Sequence, residues 1–293
     1  MNEIDPTRPL LVFGGPYSNL AATRALIEEA ARRDIPPTQV ICTGDVVAYC
    51  AEPEDTVSLI RDWGCHVVAG NCEEQLANGA EDCGCGFEEG TACDLLAKGW
   101  YPFANARVSA ETRAWMASLP HSLEFRSGRM RCLAVHGTPS VTNQFVFGSE
   151  KATLDAELES VEADLVLAGH CGIPFVHQKR GKVWFNPGVI GMPANDGTPD
   201  GWYGLIEPQA DGGLSLSLHR LRYDAASAAA AMRRWAYADS YATSLVTGIW
   251  PSFDVLPPRE TERTGRRLKP QAKLIPAATV TRSISARAAS ALP

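Results

Sequence analysis

Four short apolar runs end in residues able to hold an ion. Val40-Ile41-Cys42-Thr43 leads to Gly44-Asp45, and Val67-Val68-Ala69 leads to Gly70-Asn71-Cys72-Glu73. Cys132–Val135 leads to His136-Gly137, and Leu165–Ala168 leads to Gly169-His170. Each run reads as a buried strand that stops at a Gly-containing turn and presents one side chain at its carboxyl end. The four ends together offer a carboxylate, an amide and two imidazoles. Ligands of α/β folds bind at the carboxyl ends of strands, so Asp45, Asn71, His136 and His170 are predicted to converge on one ion. Two imidazoles with oxygens form a borderline-soft set that suits Fe(II), Mn(II) or Zn(II). Taken singly, each residue has an ordinary reading as a turn Asp or a core His; four strand ends of one design, in order, read as a metal site.

The rest of the chain must position these ends. It has 293 residues, 45% hydrophobic and 21% charged, enough for one large α/β core or two modest domains. The net charge of −7 argues against a general nucleic-acid surface. The amino terminus lacks the basic and apolar regions of a signal peptide, and no apolar run approaches the ~20 residues of a membrane span. A cytoplasmic protein is expected. Nine cysteines, an odd number, argue against a complete disulfide framework.

Leu10–Phe13 reads as a first strand, with Gly14-Gly15-Pro16-Tyr17-Ser18 as a turn and Asn19 as the cap of a helix to about Arg33. Glu52-Pro53-Glu54 opens a second helix, running to Trp63. Two strand–helix units in succession predict a parallel or mixed sheet. Residues 79–93, rich in Gly and acids, read as a long loop beside Asn71. Further helices are expected at 93–100, 110–119 and 149–160. Strands are expected at 122–126, 130–135, 203–207 and 214–221, with a hairpin over 175–185. Residues 223–258 read as a helical extension whose Tyr237, Tyr241 and Leu245 share a docking face. Residues 259–293, rich in Pro, Arg, Ala and Ser, read as a disordered basic tail.

In order, Gly44-Asp45, Gly70-Asn71-Cys72-Glu73, Val135-His136-Gly137 and Gly169-His170 resemble the motifs of calcineurin-like metallophosphoesterases. The best likeness is to the small bacterial phosphodiesterase and diadenosine-tetraphosphatase-like branch. Phe13–Leu20 and Phe185–Pro193 extend the resemblance, which covers roughly residues 9–222. It implies a four-layer α/β/β/α sandwich of two mixed sheets flanked by helices. It also implies a two-metal centre, the ions about 3.5–4 Å apart, acting on a phosphorylated small molecule. One ion maps onto Asp45, Asn71, His136 and His170, all present. The private ligands of the other do not: Gly15 and Tyr17 stand at the first-strand Asp-x-His positions, and Gly172 replaces the second His of Gly-His-x-His. The resemblance thus implies a degenerate first metal site, with Gly15, Tyr17 and Gly172 around an open space. Cys72 replaces the usual acid His, which leaves Tyr17 and Cys72 as candidate proton donors. Ala194 stands where an Arg often meets phosphate.

Thiols cluster near these losses. Cys72 and Cys171 each follow a retained ligand, and the 79–93 loop adds Cys83, Cys85 and Cys93. Three readings stand side by side: lid packing or a disulfide, a second sulfur-ligated metal or iron–sulfur centre on Cys72, Cys83, Cys85 and Cys171, or a redox thiol. The functional expectation is a metal-dependent hydrolase of the phosphoesterase type working with one ion. The alternatives are a non-hydrolytic metal or redox enzyme and a non-catalytic binding protein on the same fold.

Overall fold

The computed structural model describes residues 3–276. Its strands, in chain order, are β1 (Leu10–Phe13), β2 (Val40–Cys42), β3 (His66–Val67), β4 (Ser122–Ser127), β5 (Met130–Val135) and β6 (Leu165–Leu167). Then follow β7 (Phe175–Lys179), β8 (Lys182–Asn186), β9 (Gly201–Pro208), β10 (Leu214–Leu221) and β11 (Gln271–Ile275). The helices begin with α1 (Leu20–Arg32), α2 (Pro53–Trp63), α3 (Asn71–Asn78), α4 (Ala92–Asn105) and α5 (Ala110–Ala117). They continue with α6 (Lys151–Ser160), α7 (Ala225–Met232), α8 (Asp239–Thr247) and the short α9 (Pro258–Thr261).

Two mixed sheets result, ordered β11-β10-β9-β1-β2-β3 and β4-β5-β6-β8-β7. β1, β2 and β3 run parallel, as do β5, β6 and β8, whereas β9, β10 and β11 are antiparallel. The period-2 alternation of strand side chains explains the layers. Leu10 and Val12 of β1 pack with Leu165, Leu167, Phe185 and Trp202 between the sheets. Their neighbours Leu11 and Phe13 face the other way, onto Leu26 of α1 and Val57 and Ile60 of α2. On the far side Val166 of β6 and Trp184 of β8 meet Leu154 and Leu158 of α6. Strands buried on both faces read as unbroken apolar runs, and this arrangement is the expected α/β/β/α sandwich.

Local signals set the helices. Asn19 Oδ1 accepts from Ala22 N at 3.0 Å and starts α1. Pro53 opens α2 and Gly64, at φ +77°, ends it.

Two expectations need correction. The tail expected from residue 259 is structured as far as residue 276: α9 forms, and β11 pairs with β10 from Leu218↔Gln271 to Leu214↔Ile275. Its side chains are mostly exposed, so β11 is held by backbone pairing and shows no apolar period. Residues 277–293 lie outside the described residues. The helical segment after residue 223 is two helices, broken around Trp235, whose N–H reaches back to Met232 O at 2.9 Å. Tyr241 and Leu245 are buried as a docking face requires, and Tyr237 packs beside them half-buried. No helix among the described residues is long and apolar enough to cross a membrane.

Candidate metal centre

Asp45, His136 and His170 come from the ends of β2, β5 and β6, and their donor atoms lie within 4.8 Å of one another. His136 Nε2 is 2.8 Å from His170 Nδ1 and 3.2 Å from Asp45 Oδ2; His170 Nδ1 is 3.8 Å from the same oxygen. All three residues are buried. The Nδ1–H of His136 donates to Thr43 O at 2.6 Å, which turns the Nε2 lone pair toward the cluster.

Asn71, the fourth predicted ligand, is the first residue of α3. Its Nδ2 donates to Cys83 O at 2.8 Å and approaches Cys85 Sγ at 3.3 Å. That fixes the amide, and Asn71 Oδ1 is left buried with no hydrogen-bond partner among the described residues. A carboxylate and two facing imidazole nitrogens, with a buried and unpartnered amide oxygen on the fourth predicted ligand, fit a divalent transition ion.

The three groups shift one another's protonation. Burial alone would raise the Asp45 carboxyl, but the facing His136 and His170 outweigh it and hold the group well below the usual range. Burial lowers His170, and the neighbouring His136 adds to the effect, so the ring favours its neutral, ligating form. Burial also lowers His136, yet the Asp45 charge more than compensates and raises it.

Glu73 organises the turns beneath. Its Oε2 accepts from Asp45 N at 2.7 Å and Gly70 N at 2.9 Å, and its Oε1 accepts from Val46 N at 2.9 Å. Sequence reasoning quoted Glu73 without giving it a role. The signal was its place three residues after the Gly70 cap, where Glu reaches back to the first helical turn. Gly44, at φ +94°, is required by close approach: a Cβ there would sit 2.7 Å from Gly70 N and 2.8 Å from His136 Nδ1.

The rest of the predicted site arranges differently. The hydroxyl-bearing end of the Tyr17 ring lies over Gly15, where a Cβ would run into it. Tyr17 and Gly172 line a cavity of about 80 Å³ that also reaches His170, whereas Gly15 lies beneath Tyr17 and outside the lining. Burial and the nearby Asp45 push the Tyr17 phenol well above its usual range. Cys72 is buried, its N–H donating to Asp45 Oδ1 at 3.3 Å; burial and Asp45 likewise push its thiol up.

Of the three readings of the cysteines, the sulfur-ligated centre is not built: among the described residues no cysteine belongs to the Asp45–His136–His170 group. Cys83 and Cys85 form a disulfide with each other. Cys171 lines the same cavity as His170, its Sγ accepting from Asn186 Nδ2 at 3.1 Å and its side chain packing with Phe147 and Leu256.

Tyr241 and Trp250, from the extension, also line the cavity, and no sequence period linked them to the site.

Comparison with known proteins extends these observations. The family described as the calcineurin-like phosphoesterase superfamily domain matches residues 17–211. An uncharacterized protein of Methanocaldococcus jannaschii, MJ0912, is 25% identical over 230 residues, 73% of this chain and 88% of that one. A metallophosphoesterase from Sphaerobacter thermophilus superposes with a TM-score of 0.65 at 22% identity, covering 83% of this chain and all of its own. The hypothetical protein PH1004 of Pyrococcus horikoshii gives 0.70 at 17% identity, covering 83% of this chain and 99% of its own. The two structural likenesses bear on the fold. The family match spans two thirds of the sequence, including Asp45, Asn71, His136 and His170, and by it the chain belongs to the calcineurin-like phosphoesterase superfamily.

Proposed function

We propose that the protein is a metal-dependent hydrolase of the phosphoesterase type that works with a single ion held by Asp45, Asn71, His136 and His170. The observation that carries this reading is the convergence of the Asp45, His136 and His170 ligand atoms, which a buried and unpartnered Asn71 Oδ1 supports. A divalent ion held there would polarise a phosphoryl oxygen and lower the pKa of a water. The chain's own residues do the rest. Thr43 O and Glu73 orient the ligands, and the buried surroundings strengthen every charge interaction at the reacting centre.

Of the two candidate proton donors, Tyr17 lines the cavity, whereas Cys72 lies beneath the ligands with 1% of its surface exposed. Tyr17 is therefore the better placed. Its raised pKa makes it a weak acid, so esters with good leaving groups should react fastest. A small phosphorylated molecule is the expected substrate. The redox alternative has less support, because burial pushes the Cys171 thiol to about 12 and Cys72 well above its usual range.

One observation favours a second reading, a metal- or ligand-binding protein without hydrolysis. Among the described residues that line the cavity, none is Lys or Arg, so no side-chain cation faces a phosphate. Metal analysis of anaerobically purified protein, with phosphomonoester and phosphodiester assays in Mn(II), Fe(II) and Zn(II), separates the two. The hydrolase reading expects bound metal and turnover, both lost in His136→Ala. Bound metal without turnover on any ester would leave the binding reading.

A further inference from the structure

The family implies a second ion beside Asp45, and the residues present do not fit one. At the three positions that would hold it, Gly15 lies under the Tyr17 ring, residue 17 is itself that tyrosine, and Gly172 faces other apolar groups. A Cβ at Gly172 would already touch Trp250 Cζ2 at 3.5 Å and Val189 Cγ2 at 3.6 Å, so these groups stand where a longer side chain would extend. Two separate stretches, one at the end of β1 and one beyond α8, thus bring aromatic rings to the same space.

Two groups of rings and Trp250 line this one cavity. Tyr17 meets Tyr49 edge-on at 4.8 Å between centroids, and Tyr49 stacks on Tyr241 at 4.8 Å. In the second group, Phe145 lies 4.0 Å from the ring of His170, a predicted metal ligand. Trp250 is pinned by its Nε1–H, which donates to Pro193 O at 2.6 Å. The lining among the described residues holds no Asp, Glu, Lys or Arg.

We propose that the space of the absent second cation is an aromatic chamber that receives an uncharged, planar apolar group of the molecule bound at the single ion. An apolar wall repels a second divalent ion, which would lose its hydration for no ligand, and it gains by covering an apolar surface. Continuity with His170 requires that the group belong to the same molecule whose polar end meets the ion. The cavity, about 80 Å³, is smaller than the ~150 Å³ pocket that takes up benzene, so one small ring enters part-way. Trp250 and Tyr241 lie beyond the 17–211 family match, which makes the extension the part of this chain that shapes the chamber.

This inference rests on the one-ion phosphoesterase reading, and the test keeps the two apart. The full chain is saturated with Mn(II), its metal is counted by mass spectrometry, and methylphosphonate and phenylphosphonate are titrated in by calorimetry. The two probes share a head group and differ in the apolar group alone. One Mn(II) per chain is expected, with phenylphosphonate binding roughly tenfold tighter. Trp250→Ala should shrink that preference to below about threefold and leave methylphosphonate unchanged. If Trp250→Ala does not fold, Val255→Trp, which narrows the chamber, should remove the same preference. Equal affinities, or a preference untouched by these variants, would overturn the chamber while leaving the one-ion phosphoesterase reading standing; two ions per chain would overturn the chamber and the single-ion part of that reading together. Binding of no ion, or of neither phosphonate, would overturn both.

Discussion

The two halves of the site hang on one scaffold and differ in chemistry. Turn to turn, Gly15 N donates to Gly44 O at 3.1 Å, Tyr17 N to Asp45 O at 3.2 Å, and Ser18 N to Val46 O at 2.8 Å. Asp45, Tyr17 and Ser18 all adopt left-handed φ, between +52° and +58°. Such backbone is disfavoured for these residues and persists because the surrounding hydrogen bonds fix it. One half then presents a carboxylate, an amide and two imidazoles, each with a defined orientation. The other half starts from the same turns with Tyr17 and gathers its remaining rings from distant stretches, Tyr241 and Trp250 among them. Backbone hydrogen bonding at strand ends therefore creates the positions, and side chains alone decide what each position does. A scaffold kept for shape would not need the polar half intact, which is why that half carries the functional reading.

The largest expected effect tests whether the polar half is a metal centre at all. Asp45→Asn keeps the shape, and Asn tolerates left-handed φ, so the turn should survive. What disappears is the negative charge between two imidazoles. Metal affinity should fall by more than about 100-fold, since even partners behind the ligands are worth about 10–100-fold. Metal content after dialysis against a chelator measures it. Unchanged content would mean that the three residues form a polar core without an ion.

Glycine substitutions compare the halves directly. Gly44→Ala sets a Cβ against Gly70 N and His136 Nδ1, which are fixed, whereas Gly15→Ala sets one against the far end of the Tyr17 side chain. Both also need left-handed backbone. Gly44→Ala should cost about 3 kcal/mol or more, and Gly15→Ala about 2 kcal/mol. In a Tyr17→Ala background the Gly15→Ala penalty should shrink toward about 1 kcal/mol, the backbone share alone. Urea unfolding of the single and double variants gives these numbers. Additive penalties would show that Tyr17 does not fill the space over Gly15.

Glu73→Gln probes the layer beneath both halves. The carboxylate accepts three short backbone bonds, and an amide offers one acceptor fewer and two N–H groups facing donors. About 2 kcal/mol of stability should be lost, together with about 10–100-fold in metal affinity. Thermal unfolding with and without Mn(II) separates the two. A stability loss with undiminished metal binding would confine Glu73 to the fold.

How much of this was legible in the sequence follows from what each feature depends on. The polar half was, because Val40–Cys42 and Leu165–Leu167 are buried on both faces and must read as apolar runs stopped by a turn. The aromatic half was not. That Tyr17 covers Gly15, and that Trp250 reaches Gly172 from far along the chain, are tertiary contacts with no local period. β11 escaped for a different reason: its Gln271–Leu274 side chains are partly or fully exposed, so its stability lies in the ladder to β10 and leaves no apolar signature. Glu73 lay in plain sight as a capping residue, but its bonds to Asp45 and Val46 depend on how β2 and α3 meet.

The smallest expected effect asks whether acid empties the site before it loosens the fold that holds it. Metal ligands must be deprotonated, so binding weakens as falling pH protonates the histidines, His136, raised by Asp45, before His170, lowered by burial. A group far from the site sets a separate, lower limit. Glu29 on α1 is held down to about 2, first by its hydrogen bonds from Arg32 and then by Tyr203 and Arg33, against the opposing effect of burial. Tyr203 Oη donates to Glu29 Oε1 at 2.6 Å, which ties α1 to β9. Because the folded value lies below the unfolded value near 4.5, this group stabilises the protein above about pH 4.5, and the contribution is lost as pH falls toward 2. Arg32 is largely exposed, so solvent screening reduces the contribution to about 1–2 kcal/mol. Glu29→Gln should therefore be destabilising by that amount at pH 7 and nearly neutral at pH 2, with metal content at pH 7 unchanged. Denaturant unfolding of wild type and variant across this range, alongside metal content at each pH, checks both limits. Metal retained by the wild type until the fold itself gives way would show that the polar half is bound into the core too tightly to titrate as a separate site.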